Sequence, residues 1–243
     1  MKRVAGRTRD AILAAAADEF AESGFDGASV DDIAARARAN KAMIYYHFRS
    51  KQRLYVEILR GVFRAMGGRA ESIAGSGLPP TAKIDAFIDA FDLMAQDHPY
   101  MPRVMMREMA EGARRLDPPT LRLMAVIYRS LARILDEGAR AGAFRPADPA
   151  LTYFSLIIPV IFFRVTAPVR EAFGKAGILH LEPGQPEFLA SLKRNAALAL
   201  APDTRPAGRG RGRAKADAPA RVPAAPPGKA GRRPGSARSG DHA

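Results

Sequence analysis

Apolar residues recur along the chain at intervals of three and four, and nowhere is an alternation of apolar and polar positions sustained. That pattern predicts helix after helix, and therefore an all-α protein. The first helix is predicted from Thr8 to about Ser23, where Ile12, Ala16 and Phe20 stack four apart and Gly24 stands at the C-terminal stop. A short second helix begins at Ser29, whose hydroxyl can cap the free N–H groups, with Asp32 favouring the positive end of the helix dipole. Ile33 and Ala34 supply its buried face. A turn near residues 37–39 leads to Asn40, another good N-cap residue, which opens a third helix through Tyr46. A fourth is predicted from Ser50 through Leu54, Ile58 and Phe63 towards Met66, after which Gly67-Gly68 and Gly75-Ser-Gly-Leu-Pro-Pro80 punctuate the chain.

Beyond that punctuation, Thr81 can cap a helix to about Gln96, and a shorter one follows from Pro99 to about Gly112. Pro118-Pro119 opens a long helix through Leu121, Met124, Tyr128, Leu131 and Leu135, ending at Gly142. Asp148 and Pro149 start the most apolar helix, running to about Ala167, and residues from Glu187 to Leu200 form the last. The expected organisation is a three-helix unit over residues 1–60 and a larger helical domain over 61–201. A basic tail over 202–243, without aromatic residues, Leu, Ile or Met, is expected to be disordered because it cannot bury enough apolar area to offset its ordering entropy.

Charge sharpens this picture. The net charge is +13, and the tail holds ten Lys/Arg against three Asp/Glu, so +7 of the excess lies there and +6 in the folded part. Such a balance points to a polyanionic partner. Cysteine is absent, which removes disulfides, thiolate metal sites and cysteine nucleophiles. The four histidines, at 47, 98, 180 and 242, sit at no metal-ligand spacing, and no nucleophile elbow, phosphate loop or dinucleotide fingerprint occurs. Neither an enzyme, a cofactor nor a bound metal is expected. The apolar stretch from Leu151 to Phe163 is too short for a membrane span, and the N-terminus lacks a signal-peptide pattern, so a cytoplasmic protein without a membrane partner is expected.

Residues Ser29 to Phe48 have the proportions of a helix-turn-helix, with a supporting helix, a tight turn and a second helix able to lie in the major groove of double-stranded DNA. Ile44 and Phe48, four apart, are expected to point inward. Lys41, Tyr45, Tyr46, His47 and Lys51 can then donate to phosphate oxygens, which sets position and register rather than sequence. Asn40 and Lys41 can reach base edges, and Met43 or the Ala42 methyl can touch a thymine methyl. Arg36 and Arg38 read as a solvated face. Arg3, Arg7 and Arg9 could form a basic arm, although an untethered terminus is the default.

Ser29-Val-Asp-Asp-Ile-Ala-Ala-Arg-Ala, followed by Ile44-Tyr-Tyr-His-Phe-Arg-Ser-Lys-Gln-Arg-Leu54-Tyr, closely resembles the signature of the TetR/AcrR family of transcriptional regulators. The resemblance covers about residues 8 to 60 and implies a homodimer whose paired recognition helices dock in successive major grooves of an operator. It carries DNA contacts over to Ser29, Asn40, Lys41, Ala42, Met43, Tyr45, Tyr46, His47 and Lys51. Two departures stand out: Ala42 where the family often has Gly, and Ala39 without the hydroxyl common just before the recognition helix.

The same resemblance implies a C-terminal helical domain whose small-molecule pocket controls DNA release, with repression as the family habit. An apolar or amphipathic effector would be met by the chain's surplus of aromatic and sulfur-bearing side chains. The candidates are Phe87, Phe91 and Met94, then Met105, Met106 and Met109, then Met124 and Tyr128, and finally Phe154, Ile158 and Phe162. Arg107 and Glu108 read as a surface pair rather than ligand anchors. The last two predicted helices resemble the family's dimer interface, with Leu156, Val160 and Phe163 as interface residues. Arg209-Gly-Arg-Gly-Arg213 could add non-specific phosphate affinity. Two rivals are an architectural DNA binder without ligand control and a protein-interaction module without DNA affinity.

Overall fold

The computed structural model describes residues 2–181 and 183–202, and among these every regular element is a helix. In chain order they are α1 (Lys2–Gly27), α2 (Val30–Arg36), α3 (Lys41–Phe48), α4 (Lys51–Gly75) and α5 (Pro80–Asp97), followed by α6 (Met101–Ala110), α7 (Pro118–Arg140), α8 (Pro149–Val165), α9 (Ala167–Lys175) and α10 (Gln185–Leu200). The tail from Asp203 onward, including Arg209 to Arg213, lies outside the described residues, as do the side chains of Arg3 and Arg7.

Local chemistry sets most of the helix ends. Gly24 takes a left-handed conformation (φ 74°, ψ 177°) and interrupts α1 at its predicted stop, a conformation that a Cβ would strain. Ser29 Oγ accepts the Asp32 amide at 3.0 Å, Asn40 Oδ1 the Ala42 amide at 2.8 Å and Ser50 Oγ the Arg53 amide at 3.1 Å. Asp148 caps α8 through the Leu151 amide at 2.9 Å. Thr81 does not cap α5, which starts at Pro80 with Pro79 as an N-cap lacking a side-chain bond. Asn40→Ala is expected to lower stability by about 1 kcal/mol, the usual cost of a lost N-cap, measurable as a shift of the urea midpoint at unchanged slope.

One predicted break is absent. Gly67 and Gly68 lie inside α4, where Gly67 is buried and an added Cβ would meet Val126 of α7 at 3.4 Å, so the small residue serves helix contact rather than a turn. The uninterrupted α4 therefore crosses residue 60 and belongs to both halves of the chain. Pro159 lies inside α8, which runs as one helix as its apolar pattern predicts. An additional short helix, α9, follows α8 and buries none of its residues, which left no amphipathic period to recognise.

α4 and α7 pack along each other at the centre, with α5 against both and α8 against α5 and α7. Fully buried Phe20, Leu54, Leu59, Phe87, Ile88, Leu131, Ile134 and Ile157 form one continuous core linking the N-terminal helices to the rest. Where α7 meets the following turn, Gly138 leaves no space for a side chain: an added Cβ would lie 1.9 Å from Cδ2 of buried Phe144. Gly138→Ala is expected to cost roughly 1–3 kcal/mol through overpacking, despite alanine's better helix propensity, and to lower the thermal midpoint in circular dichroism.

Among the described residues no single helix is long and apolar enough to cross a membrane. The α8–α9 pair reaches that composition only together, across a bend of 46°, and Leu156, Ile157 and Val160 of α8 are buried in the core.

Candidate nucleic-acid interface

α3 is anchored from below. Ile44 is fully buried and Phe48 nearly so, which fixes the roll of the helix and turns Lys41, Ala42, Tyr45 and Tyr46 to solvent. Tyr46 is 71% exposed and Tyr45 44%, unusual for large aromatic side chains held on a rigid helix. Lys41 Nζ bonds Asp31 Oδ2 of α2 at 2.8 Å, and this bond holds the Lys41 ammonium above its usual pKa. Met43 is half-buried, packed against the core beneath the exposed face.

The connection between α2 and α3 is tight. The Arg38 amide bonds Ala35 O at 3.1 Å, the Ala39 amide bonds Ala34 O at 3.0 Å, and Arg38 takes a left-handed backbone (φ 50°). Arg49, between α3 and α4, is also left-handed (φ 68°). Two non-glycine residues in that region bracket α3, a placement that costs conformational energy.

The remaining predicted contact residues sit in the frame around this face. Ser29 is occupied in capping, since its hydroxyl also donates to Asp32 Oδ2 at 2.5 Å. Lys51 turns towards α1, donating to Ala28 O at 2.9 Å and Asp26 O at 3.5 Å while its ammonium lies 4.7 Å from the Phe25 ring centre. His47 is half-buried, packed against Tyr46 and Phe48, and its Nε2 is shielded from solvent without a partner among the described residues. Arg36 pairs with Glu22 at 2.6 Å and Glu19 at 3.2 Å, so it braces α2 on α1 rather than forming a free solvated face. Arg9 is tethered too, to Glu57 at 3.1 Å and over the Phe48 ring.

A polar latch, which sequence reasoning missed, ties this unit to the following helices. Glu108 on α6 is buried, and its carboxylate accepts the Tyr55 hydroxyl at 3.0 Å, the Arg115 amide at 3.0 Å and the Arg115 guanidinium at 3.4 Å. Arg115 reaches on to Asp26 at 2.9 Å and to Glu111, and stacks over Phe25. Arg107 donates to the carbonyls of Phe20 and Glu22 at 3.5 and 3.2 Å. The surface pairing expected of Arg107 and Glu108 is thus corrected: three donors converge on one carboxylate, which makes its burial tolerable. Burial first, then Glu108, pushes the Tyr55 phenol well above its ordinary pKa.

The predicted effector residues separate into three environments. Phe87 and Phe91 are core residues in ring contact at 5.4 Å, and Phe91 continues to Tyr153, which touches both Tyr128 and Phe154. Burial raises the Tyr153 phenol to about 12. Met105, Met106 and Met124 are half-buried, Met109 is exposed, and Met94 lines a recess of about 70 Å³ with Met66 and His98. Phe154, Ile158 and Phe162 form an outward stripe of α8 with Leu151, all more than 40% exposed. The expected interface residues are reversed in orientation: Leu156 and Val160 are buried within the chain, and Phe163 stacks on Phe188 at 4.1 Å. Both faces of α8 are apolar, so periodicity could not tell which one turns inward.

Residues 12–58 match the family model described as bacterial regulatory proteins, tetR family, and residues 80–194 match the tetracyclin repressor-like C-terminal domain. The HTH-type transcriptional regulator RutR of Escherichia coli (strain K12) is 30% identical over 171 residues, covering 70% of this chain and 80% of that protein. The HTH-type transcriptional repressor KstR2 of Mycolicibacterium smegmatis is 30% identical over 151 residues, 60% of this chain and 72% of the other. A solved structure of a TetR family transcription regulator from Marinobacter aquaeolei VT8 superposes with a TM-score of 0.65 at 18% identity, over 83% of this chain and 100% of that one, a likeness of fold.

Proposed function

The chain belongs to the TetR family of bacterial regulatory proteins, and from that premise we propose that it is a dimeric repressor acting in the cytoplasm, reading its operator with α3 and releasing it when a small molecule binds the C-terminal helices. The observation that carries this reading is the anchoring of α3. Ile44 and Phe48 lock the helix while Lys41, Tyr45 and Tyr46 stand clear of it, the arrangement needed to press donors into a major groove. Lys41 and the two phenols make the direct contacts, with Ala42 and Met43 beside them. Ser29, Asn40 and Lys51 hold the frame, and any contact they make to phosphate is secondary to that bracing.

The outward stripe Leu151, Phe154, Ile158 and Phe162, with Leu198 of α10 at 76% exposure, is the surface that a second copy covers. Left in water it would be an apolar band on two adjacent helices. Phe154→Glu combined with Ile158→Glu is expected to yield a folded monomer in sedimentation and to weaken operator binding by orders of magnitude, because one half-site alone lacks the second set of contacts.

The effector is apolar or amphipathic and lies beside the aromatic series running from Phe87 and Phe91 to Tyr153 and Tyr128, which joins α5, α8 and α7. Control requires only that it bind better to a conformation in which the recognition helices are wrongly spaced. The latch of Arg107, Glu108 and Arg115 on α1 and α4 carries such a shift to the DNA-reading unit. Selection of duplexes from a random pool tests the reading. Two half-sites about 34–36 Å apart are expected, and a chain ending at residue 201 should recover the same sequence. Recovery of unrelated sequences bound with equal affinity would replace the regulator with an architectural binder.

A further inference from the structure

Between the N-terminal part of α1, the end of α3, the first turns of α4 and the α6–α7 connection lies a cleft of about 730 Å³, the size of a small-ligand site. Arg9, His47, Arg49, Arg53, Arg60 and Arg115 line it, opposed by only two carboxylates, Glu57 and Asp117. Three of the guanidiniums are held in place: Arg9 by Glu57, Arg60 by Asp117 and by Thr120 Oγ1, and Arg115 by Asp26 and Glu111. Arg49 and Arg53 have no carboxylate partner among the described residues. The N-terminus of the long helix α4 opens at the same place through Ser50 and Gln52, adding the positive end of its dipole.

His47 makes this more than a basic surface. Its Nε2 is shielded from water and has no hydrogen-bond partner, a state that buried polar atoms rarely keep. The imidazole lines the cleft with this nitrogen turned away from solvent, so rotation of the ring towards an oxygen-bearing anion there would give Nε2 a partner while the anion neutralises Arg49 and Arg53. We propose that the cleft is a binding site for a small molecule carrying one or two phosphoryl groups, separate from the aromatic region assigned to the apolar effector. Two guanidiniums without a carboxylate partner, Arg49 and Arg53, beside the α4 N-terminus suit a multiply charged oxyanion better than a single carboxylate.

The recess favours a free anion over the backbone of DNA. Arg115 exposes 8% of its side chain and Arg60 28%, so their charges lie below the surface that a duplex could touch, and Glu57 and Asp117 would face its phosphates. The site does not depend on the operator reading, because occupancy can be measured on the protein without DNA.

Calorimetric titration of the full chain with inorganic pyrophosphate at low ionic strength tests the assignment. One pyrophosphate per chain is expected. Arg53→Ala should weaken it about tenfold, the scale of one lost charge-assisted contact, and Arg53→Glu should abolish it. Arg122→Ala, an exposed position of α7 outside the cleft, should leave it unchanged. In nitrogen-detected imidazole spectra the Nε2 signal of His47 should move on titration in the unaltered protein and stay still in Arg53→Glu. Equal weakening by Arg122→Ala, or an unmoved His47 signal at saturation, would overturn the site as diffuse charge attraction. If saturating duplex DNA expels pyrophosphate and Arg53→Ala weakens the duplex by the same factor, the cleft holds a backbone phosphate and the proposal fails.

Discussion

Lys41→Ala combined with Tyr46→Ala is expected to lower affinity for the selected duplex by roughly 1,000-fold or more while leaving the fold intact, since the proposed dimer loses four groove contacts, two per subunit, at ~1–3 kcal/mol each. Neither side chain supports the core: Tyr46 is 71% exposed, and Lys41 meets only the exposed carboxylate of Asp31. Losing Lys41 has a second effect, because Asp31 then faces the polyanion without compensation. Fluorescence anisotropy over a series of salt concentrations should show the slope of log affinity against log salt falling by roughly two, about one for each Lys41 of the proposed dimer. The thermal midpoint should shift by no more than a surface substitution does. A well-folded double variant that binds the duplex undiminished would remove α3 from the interface.

The second large effect is on stability. Glu108→Ala should destabilise the protein by roughly 3–5 kcal/mol, the range seen when one member of a buried ion pair is removed. The Tyr55 hydroxyl, the Arg115 amide and part of the Arg115 guanidinium all lose their acceptor in a site closed to water. For a chain of this size the thermal midpoint should fall by about 10 °C or more, compared at equal protein concentration because dimerisation adds to apparent stability. Glu108→Gln keeps a carbonyl oxygen for Tyr55 or for the amide and should lose distinctly less. A midpoint for Glu108→Ala within a degree or two of the unaltered protein would mean that the latch contributes little, and that coupling between the DNA-reading unit and α6 runs through apolar packing instead.

The exposed side of α3, proposed to read DNA, was legible in the chain because the determinants of its orientation are local. Ser29, Asn40 and Ser50 each cap a helix through an amide two or three residues away, and Ile44 and Phe48 share a face by helical spacing alone. Lys51 shows where this stops. Its charge marked it as a phosphate donor, but it folds back on the Ala28 carbonyl 23 positions earlier, a partner that no local pattern could announce. Glu108 is the same case with larger consequences: a carboxylate between Arg107 and Met109 reads as surface until Tyr55, 53 residues away, supplies the bond that lets it be buried.

Period and capping thus determined by themselves that this chain is a succession of helices opening with a helix-turn-helix, since both act within one or two turns of backbone. Tertiary structure alone decided which apolar face of α8 turns inward, that α4 runs unbroken past Gly67-Gly68, and that arginines of α1, α4 and two connections surround one cleft. The physical reason is common to all three. Apolar contact and hydrogen bonding across the fold depend on which surfaces meet, and a residue's type fixes what it can bond but not what stands opposite it.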